Sequence, residues 1–256
     1  GSFLLLLLVV AAAIITVAVL LYLVAYILIH GVLYLKPSLF ALEYNSDNVS
    51  MLPAMINTLE MTLVSLLFAV PLGIGAAVYL VEYAPKGSKL VKVVRITAET
   101  LTGIPSIIYG LFGMLFFVTY LHWGYSMLAG AATLAIMVLP VIMRTTEEAL
   151  LCVPDTYREG SFGLGAGRLR TVFRIVLPSA MPGIITGVIL AVGRIVGESA
   201  ALLFTAGSAG LLPKSFTQFM EKTAHPGGTL TIQLYLSATK GEFGVAFGIA
   251  VVLLII

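Results

Sequence analysis

The chain has 256 residues, of which 60% are hydrophobic and only 10% are charged. A composition this apolar lies outside the range of soluble domains and indicates an integral membrane protein. The formal net charge is +2, and the basic residues stand in short loops beside apolar runs, so nucleic acid is not an expected partner. Cys152 is the only cysteine, which excludes an intrachain disulfide.

The sequence contains no obvious constellation for ATP, metal or enzyme chemistry. The three histidines stand in different segments, so a metal cluster is not expected. No stretch has the P-loop form GxxxxGK followed by Ser or Thr, and PKGSK at 85–89 lacks that glycine spacing. No pair of nucleophile and base stands out in the apolar runs. We therefore expect neither a catalytic site nor a metal or cofactor in this chain.

Six apolar segments are candidates for transmembrane helices, which need about 20 predominantly apolar residues. The segments are continuously apolar and do not alternate, so a transmembrane barrel is disfavoured. The first is too long for a signal-peptide core and is predicted to be a retained span, and we expect the short last one to continue beyond Ile256. The predicted spans are 3–35, 57–81, 96–120, 126–143, 179–206 and 244–256. The sequence thus predicts an all-α, polytopic membrane protein.

Lysine and arginine in the connections predict the orientation of the spans. Four of them lie in 86–95 and five lie in 144–174, whereas the opposite side carries four and Arg194 lies within a predicted span. The segment 144–174 is therefore predicted to be cytoplasmic and the long loop 207–243 to face outward. Within that loop, 230–238 is predicted to form a short helix or strand. It either covers the helix ends or provides a docking surface for an external protein.

Proline and glycine interrupt several predicted spans. They occur at Pro71, Gly73 and Gly75, at Gly103 and Pro105, and at Pro140. Proline within a span frees backbone groups that neighbouring helices or water must satisfy. Such kinks either line a pathway or serve helix packing, and the sequence leaves both interpretations open.

The predicted cytoplasmic segment has its own helical pattern between two apolar spans. Pro154 and Asp155 end the preceding helix and begin a short one over 156–162, which Gly163, Gly165 and Gly167 terminate. A further turn or two, over 168–176, precedes Pro178 at the start of the next span. A short helix between glycine hinges suits docking into a groove of a partner, and an ordinary amphipathic surface helix is the alternative.

The spacing within this segment resembles the EAA loop of ABC-importer permeases. The matching residues are Glu159, Gly160, Ser161, Gly165, Ile175, Leu177 and Pro178. Gly160 and Ser161 stand where the family has two alanines, so small residues replace small residues at some cost in helix propensity. In that family the loop is the coupling helix that fits a cleft of the cytoplasmic ATPase. The resemblance therefore implies that Glu159, Gly160, Ser161, Gly165, Leu177 and Pro178 couple this chain to an ATPase.

Arg194 and Glu198 form a second charged constellation, inside the predicted span 179–206. Residues four apart share a face of a helix, and intramembrane charges pair or line aqueous paths. A mutually neutralising structural pair is the alternative interpretation, but we expect both side chains to face an interior cavity. Gly183, Gly187, Gly193 and Gly197 have the spacing of small residues that permits close helix approach beside that cavity.

Four ordered motifs resemble the phosphate-specific permeases of ABC importers, specifically the PstA-type subunit. The resemblance covers about 57–256 and lies in GIPSIIYGLFG (103–113), TTEEAL (145–150), VPDTYREG (153–160) and GRIVGESAALLFTAG (193–207). It implies the ABC type I importer permease fold with six transmembrane helices in a bacterial inner membrane. The implied domains are an N-terminal transmembrane helix at 1–36 and a permease core at 57–256, with a coupling loop at about 145–178 and an outer loop at about 207–243.

The same resemblance implies a function and partners. The chain would form half of the translocation path of an ATP-driven importer of inorganic phosphate, beside a PstC-type second permease. Two PstB-type ATPases would bind ATP and Mg, and a PstS-type phosphate-binding protein would deliver the substrate outside. Arg194 matches the family's functional membrane arginine, Glu198 and Ser106 accompany it in the substrate path, and Arg144 is a weaker candidate at the exit. A permease for molybdate, sulfate or phosphonate, and a stand-alone channel or secondary transporter, are the alternatives.

Overall fold

In a computed structural model of the protein, residues 2–40, 50–85, 87–208 and 224–256 are described. Every regular element in these ranges is helical, which confirms the all-α prediction. Short 3₁₀ or π-helical segments lie at Pro37–Phe40, Tyr79–Tyr83, Met114–Tyr120 and Val172–Val176. The α-helices are α1 Ser2–Val32, α2 Leu52–Val78, α3 Lys89–Thr102, α4 Ser106–Gly113, α5 Met127–Leu151, α6 Asp155–Gly163, α7 Arg168–Thr171, α8 Leu177–Val196, α9 Ala200–Leu203, α10 Leu230–Thr239 and α11 Phe243–Ile255.

The chain divides into two units, of which unit 1 comprises Gly1–Met55 and Thr229–Ile256. In unit 1, α1 lies so close to α11 that a β-carbon at Gly31 would collide with the Val251 side chain and the Phe247 carbonyl. A separate apolar cluster is centred on Met51, Leu230 and Ile249. Residues 230–238, predicted as a short helix or strand, lie in the helix α10. The rest of the predicted outer loop includes 209–223, which lie outside the described residues.

Unit 2, Ile56–Gly228, is built around α5, which is the most enclosed of its long helices. Helix α8 packs directly along α5, and β-carbons at Gly183 and Gly187 would meet Ala149 and Thr145. The predicted close approach is thus confirmed for Gly183 and Gly187. Among the described residues, no atom lies within 4 Å of a β-carbon built at Gly193, and one built at Gly197 meets only the Gly193 carbonyl.

The third predicted span, 96–120, is not one straight helix. Helix α3 ends at Thr102, and the segment Ser106–Tyr120 leaves it at an angle of 102°. Pro105 has no N–H to donate and disfavours helical geometry at the preceding residue, while Gly103 caps the end of α3. The apolar run therefore continues through 103–105 although the helix does not.

The fifth predicted span, 179–206, is also displaced at both ends. One continuous helix runs from Arg168 to Val196 and comprises α7, Val172–Val176 and α8. This 29-residue segment is called the long helix below. Its C-cap is Gly197, and the chain turns before the short helix α9. Residues 168–176 are helical as predicted, but they continue into α8 and do not end before it. The π-helical segment Val172–Val176 directly precedes Pro178, which has no N–H to donate.

Within the described residues, four helices are long and apolar enough to cross a membrane. The bent pair of α3 with Ser106–Tyr120 makes a fifth if it is counted as one span. Helix α11 is apolar but has only 13 residues. The predicted number of six spans therefore corresponds here to four or five spans and one shorter apolar helix.

Candidate functional site

The segment that resembles the EAA loop contains the predicted short helix, but of the two turns that flank it only the one after it contains glycine, while Pro154 precedes it. Helix α6 begins directly after Pro154 and ends at Gly163. Gly165 has a φ of +80°, which only glycine adopts without strain. The turn is closed by hydrogen bonds from the Gly165 N–H to the Phe162 carbonyl (2.9 Å) and from the Ala166 N–H to the Ser161 carbonyl (3.1 Å). Residues 152–171 are called the coupling segment below.

The inner side of α6 is attached to the start of the long helix. The hydroxyl oxygens of Ser161 and Thr171 lie 2.8 Å apart, and both residues are buried. Gly160, in contrast, has open space where a β-carbon would be. Packing inside this chain therefore constrains the residue at 161, whereas the small residue at 160 leaves a thin outer surface.

The outer side of the coupling segment is strongly apolar. Its large exposed side chains include Leu164, which is 92% exposed at the tip of the turn, and Glu159 lies exposed beside them. An exposed apolar surface of this kind is typical of contact sites for proteins or membranes. Its exposed apolar residues are Tyr157, Phe162, Leu164 and Leu169, and Phe173 follows on the long helix.

Arg194 and Glu198 do not share a helix face, which corrects the prediction. Arg194 lies half-buried in the last turn of α8, whereas Glu198 lies beyond Gly197 and is buried. One carboxylate oxygen of Glu198 accepts a hydrogen bond of 3.0 Å from the Ala201 N–H. The prediction from the four-residue spacing failed because the helix ends at Gly197. The Glu198 carboxylate that follows can accept from a free N–H group at the start of α9.

Helix α4 begins after the break at 103–105 and carries Ser106 and Tyr109. The Tyr109 hydroxyl donates a hydrogen bond of 2.8 Å to the Leu101 carbonyl across the break at 103–105. A β-carbon at Gly110 would lie 2.8 Å from the Ala201 α-carbon, so the backbones of α4 and α9 nearly touch. Helix α4, which follows the break at 103–105, thus packs against α9, which follows the break after Arg194.

Arg144 lies near the end of α5, and its guanidinium is 3.9 Å from the carboxylates of both Glu99 and Glu148. Both acidic side chains are well exposed, so these contacts are loose surface pairs. The structure thus places Arg144 among surface carboxylates, whereas Arg194 forms none of the ion pairs found among the described residues.

A small apolar pocket in unit 2 lies elsewhere than the cavity that the sequence predicted at Arg194 and Glu198. It is lined by Glu60, Met61 and Val64 of α2 and by Met127, Leu128 and Ala131 of α5. Glu60 is a buried carboxylate that the sequence reasoning did not single out. The signal was present, because Glu60 is the only charged residue in the predicted span 57–81.

Comparison with known proteins identifies the family. The profile of the binding-protein-dependent transport system inner membrane component matches residues 69–256. The chain belongs to this family. It is therefore the membrane permease subunit of an ABC importer, and its partners are an ATPase and a substrate-binding protein.

Curated relatives support the same assignment of this permease. The probable ABC transporter permease protein YqgI of Bacillus subtilis is 38% identical over 248 residues, covering 91% of the chain and 82% of the relative. The phosphate transport system permease protein PstA 1 of Mycobacterium tuberculosis is 42% identical over 154 residues (60% of the chain, 50% of the relative). PstA of Pasteurella multocida is 43% identical over 169 residues (66% of the chain, 58% of the relative). The permease spans half to three-fifths of these two PstA proteins.

Solved structures show the same fold. The MetNI methionine ABC transporter aligns with a TM-score of 0.62 at 24% identity, covering 80% of the permease and 88% of that chain. A bacterial ABC transporter involved in the import of the acidic polysaccharide alginate aligns with a TM-score of 0.61 at 19% identity, covering 94% and 92%. The permease therefore has the MetI-type fold.

Proposed function

We propose that this permease imports inorganic phosphate. The observation that carries the proposal is the position of Arg194, half-buried in the last turn of α8 directly before the helix break at Gly197. The PstA relatives that are 42–43% identical to parts of this chain support phosphate as the substrate. Irregular backbone at membrane depth is tolerated where it lines a cavity or is buried in protein. A single cation at such a position favours an anionic substrate.

The guanidinium of Arg194 suits a tetrahedral oxyanion because it donates two parallel hydrogen bonds from one plane. Ser106, one turn before Tyr109 on α4, adds a hydroxyl to the same path. Glu198 limits how tightly the anion is held, since a site that binds too strongly does not release its substrate. Arg144 is assigned a secondary role, at the exit.

In this proposal the coupling segment docks on a PstB-type ATPase through its apolar outer side. The side chains or backbone of Glu159, Gly160, Ser161, Gly165, Leu177 and Pro178 shape and support that contact. A PstC-type permease completes the path, a PstS-type protein delivers phosphate from outside, and the complex lies in a bacterial inner membrane. ATP and Mg are bound by the ATPase.

The long helix connects the two ends of this mechanism. It begins in the coupling segment at Arg168 and carries Arg194 in its last turn. At 1.5 Å per residue these two positions are about 39 Å apart along the helix. Movement of the coupling segment therefore has a continuous rigid path to the proposed phosphate site.

The variant Arg194→Gln tests the proposed role of the guanidinium. We expect phosphate uptake at limiting phosphate to fall about 100-fold, since charge-assisted hydrogen bonds contribute about 1.5–3 kcal/mol each. Arg174→Gln is the matched control, because Arg174 is an exposed arginine on the same helix. Normal uptake by Arg194→Gln at normal protein level would remove Arg194 from the substrate path.

Competition experiments distinguish phosphate from related oxyanions. Excess unlabelled phosphate is expected to abolish uptake of labelled phosphate, while molybdate, sulfate and phosphonate leave most of it. If one of these anions competes better than phosphate, the permease belongs to an importer for that anion.

A further inference from the structure

Arg158 occupies an unusual position on the inner side of α6. Its side chain is 15% exposed, and it forms an ion pair with Glu82, whose side chain is 9% exposed. Arg158 Nη2 and Nε lie 2.7 Å and 3.1 Å from Glu82 Oε1, and Nε lies 3.4 Å from Oε2. The pair is therefore enclosed, and its geometry is fixed by more than one hydrogen bond.

The same guanidinium also binds the end of α5. Nη1 donates to the Val153 carbonyl (2.8 Å) and Nη2 to the Leu150 carbonyl (3.0 Å), while Asp155 Oδ1 accepts at 3.2 Å from Nη1. Arginine has five donors in a planar fork, and here they reach three elements at once. Arg158 thereby joins α6 to the end of α5 and to the segment that follows α2.

Glu82 belongs to the π-helical segment Tyr79–Tyr83, which extends α2. Its neighbour Tyr83 places its ring under the guanidinium of Arg168, 5.7 Å from the ring centroid. This short segment therefore contacts both α6 and the start of the long helix. Single π-turns occur often at functional positions, and this one lies where two parts of the coupling segment converge.

We propose that the Arg158–Glu82 ion pair is the joint that transmits displacement of α6 to α2. The proposal rests on the proposed role of α6 as the ATPase-facing helix. Helix α6 is attached to the long helix through Ser161 and Thr171, and Arg158 supplies a second attachment, to α2 and α5.

With both attachments, α6 moves the long helix and α2 together. With the first alone, α6 tilts against α2 and the energy of ATP hydrolysis is not passed on. Arg158 is thus a positioning residue that touches neither substrate nor nucleotide.

The test uses the complete transporter with its binding protein in proteoliposomes. We expect Arg158→Gln to lower the amount of substrate transported per ATP hydrolysed about tenfold, within the range of typical coupling free energies. The concentration of loaded binding protein that gives half-maximal ATP hydrolysis should not change. Arg158→Lys should be intermediate, because lysine keeps the charge for Glu82 but lacks the planar fork for both carbonyls.

A double-mutant cycle of Arg158 and Glu82 and a control at a second ion pair complete the experiment. If the two residues act through one joint, Glu82→Gln also lowers the ratio, and the double variant is no worse than Arg158→Gln alone. Arg95→Gln is the control, because it breaks the pair of Arg95 with the buried Glu147, which joins α3 to α5 outside the coupling segment. We expect Arg95→Gln to leave the ratio unchanged.

Two results would overturn the joint: a wild-type ratio in Arg158→Gln, or effects of Glu82→Gln and Arg158→Gln that multiply in the double variant. If Arg158→Gln does not assemble, the ratios of Arg158→Lys and Glu82→Gln decide in the same way. The ratio is measured with whatever substrate the binding protein delivers, so failure to transport phosphate refutes the substrate proposal and leaves the joint to be judged separately. If the wild-type transporter hydrolyses ATP at the same rate with and without loaded binding protein, the assigned role of α6 is refuted instead.

Discussion

The Tyr109 hydroxyl is the atom that spans the break between α3 and α4. It donates to the Leu101 carbonyl at 2.8 Å, and Tyr109 is buried. The Leu101 carbonyl also accepts a hydrogen bond of 3.2 Å from the Ile104 N–H, so the phenol adds a second bond that joins α4 to the end of α3. Tyr109 therefore determines where α4 stands relative to the proposed phosphate site.

Replacing Tyr109 with phenylalanine removes this one hydrogen bond and retains the ring. We expect a loss of stability of about 1 kcal/mol. Because the bend positions Ser106 and the region near Arg194, we also expect the KM for uptake to rise about fivefold while the maximal rate changes little. Thermal unfolding of the purified complex and initial uptake rates would measure the two effects.

The control for Tyr109→Phe is Tyr120→Phe, since Tyr120 is an exposed tyrosine at the end of the same segment. This change should leave both quantities at their wild-type values. Equal KM values for Tyr109→Phe and the wild-type protein would show that the bend does not position the substrate site.

Single residues also show the limit of inference from spacing. Arg194 and Glu198 are four apart, and the spacing predicts one shared face only if the helix continues through both. Gly197 ends it, and the Glu198 carboxylate binds the Ala201 N–H instead. Glycine followed by a residue that can cap a helix is a visible stop signal, but the continuous apolar run around it obscured the break.

At the scale of elements, the coupling segment was the part best predicted from the sequence. Pro154 and Gly163 set the boundaries of α6 by local backbone preferences, and these preferences do not depend on the rest of the fold. Gly165, at a φ of +80°, has the same local origin. In contrast, the partners of α6 could not be predicted, because Glu82 and Arg158 are 76 residues apart and no local rule brings them together.

The turn after α6 allows a matched comparison of two glycines. Both Gly163 and Gly165 have open space where a β-carbon would be, but only Gly165 has a positive φ. Alanine at 165 should cost about 1–2 kcal/mol of backbone strain. Alanine at 163 should be neutral or slightly favourable, since alanine is the better helix former.

We therefore expect Gly165→Ala to reduce ATP-dependent transport in proteoliposomes several-fold and Gly163→Ala to leave it near the wild-type rate. The two substituted positions are two residues apart, and each substitution adds one methyl group. Equal transport by the two variants would indicate that the conformation of this turn does not matter for coupling.

At the scale of the whole molecule, apolar composition and family motifs predicted the class of protein. The family match and the MetI-type fold confirm an ABC permease subunit. The exact number of spans was not predictable, because Pro105 divides one apolar run by a bend of 102° without adding a polar residue. Length and hydropathy measure how apolar a stretch is but not its direction.

Within unit 2, the long helix joins the apolar surface of the coupling segment to Arg194. This arrangement links an ATPase contact to an anion site in one rigid element, provided that the segment docks as proposed. The central claim is therefore that ATP hydrolysis and phosphate movement are coupled through this chain.

The most direct test is reconstitution of the permease with its PstC-type, PstB-type and PstS-type partners in proteoliposomes. Phosphate accumulation and ATP hydrolysis would be measured together, with and without phosphate-loaded binding protein. We predict that loaded binding protein stimulates both, and that phosphate accumulates against its gradient only when ATP is present. Phosphate accumulation without ATP, or stimulation of ATP hydrolysis by another oxyanion but not by phosphate, would contradict this account.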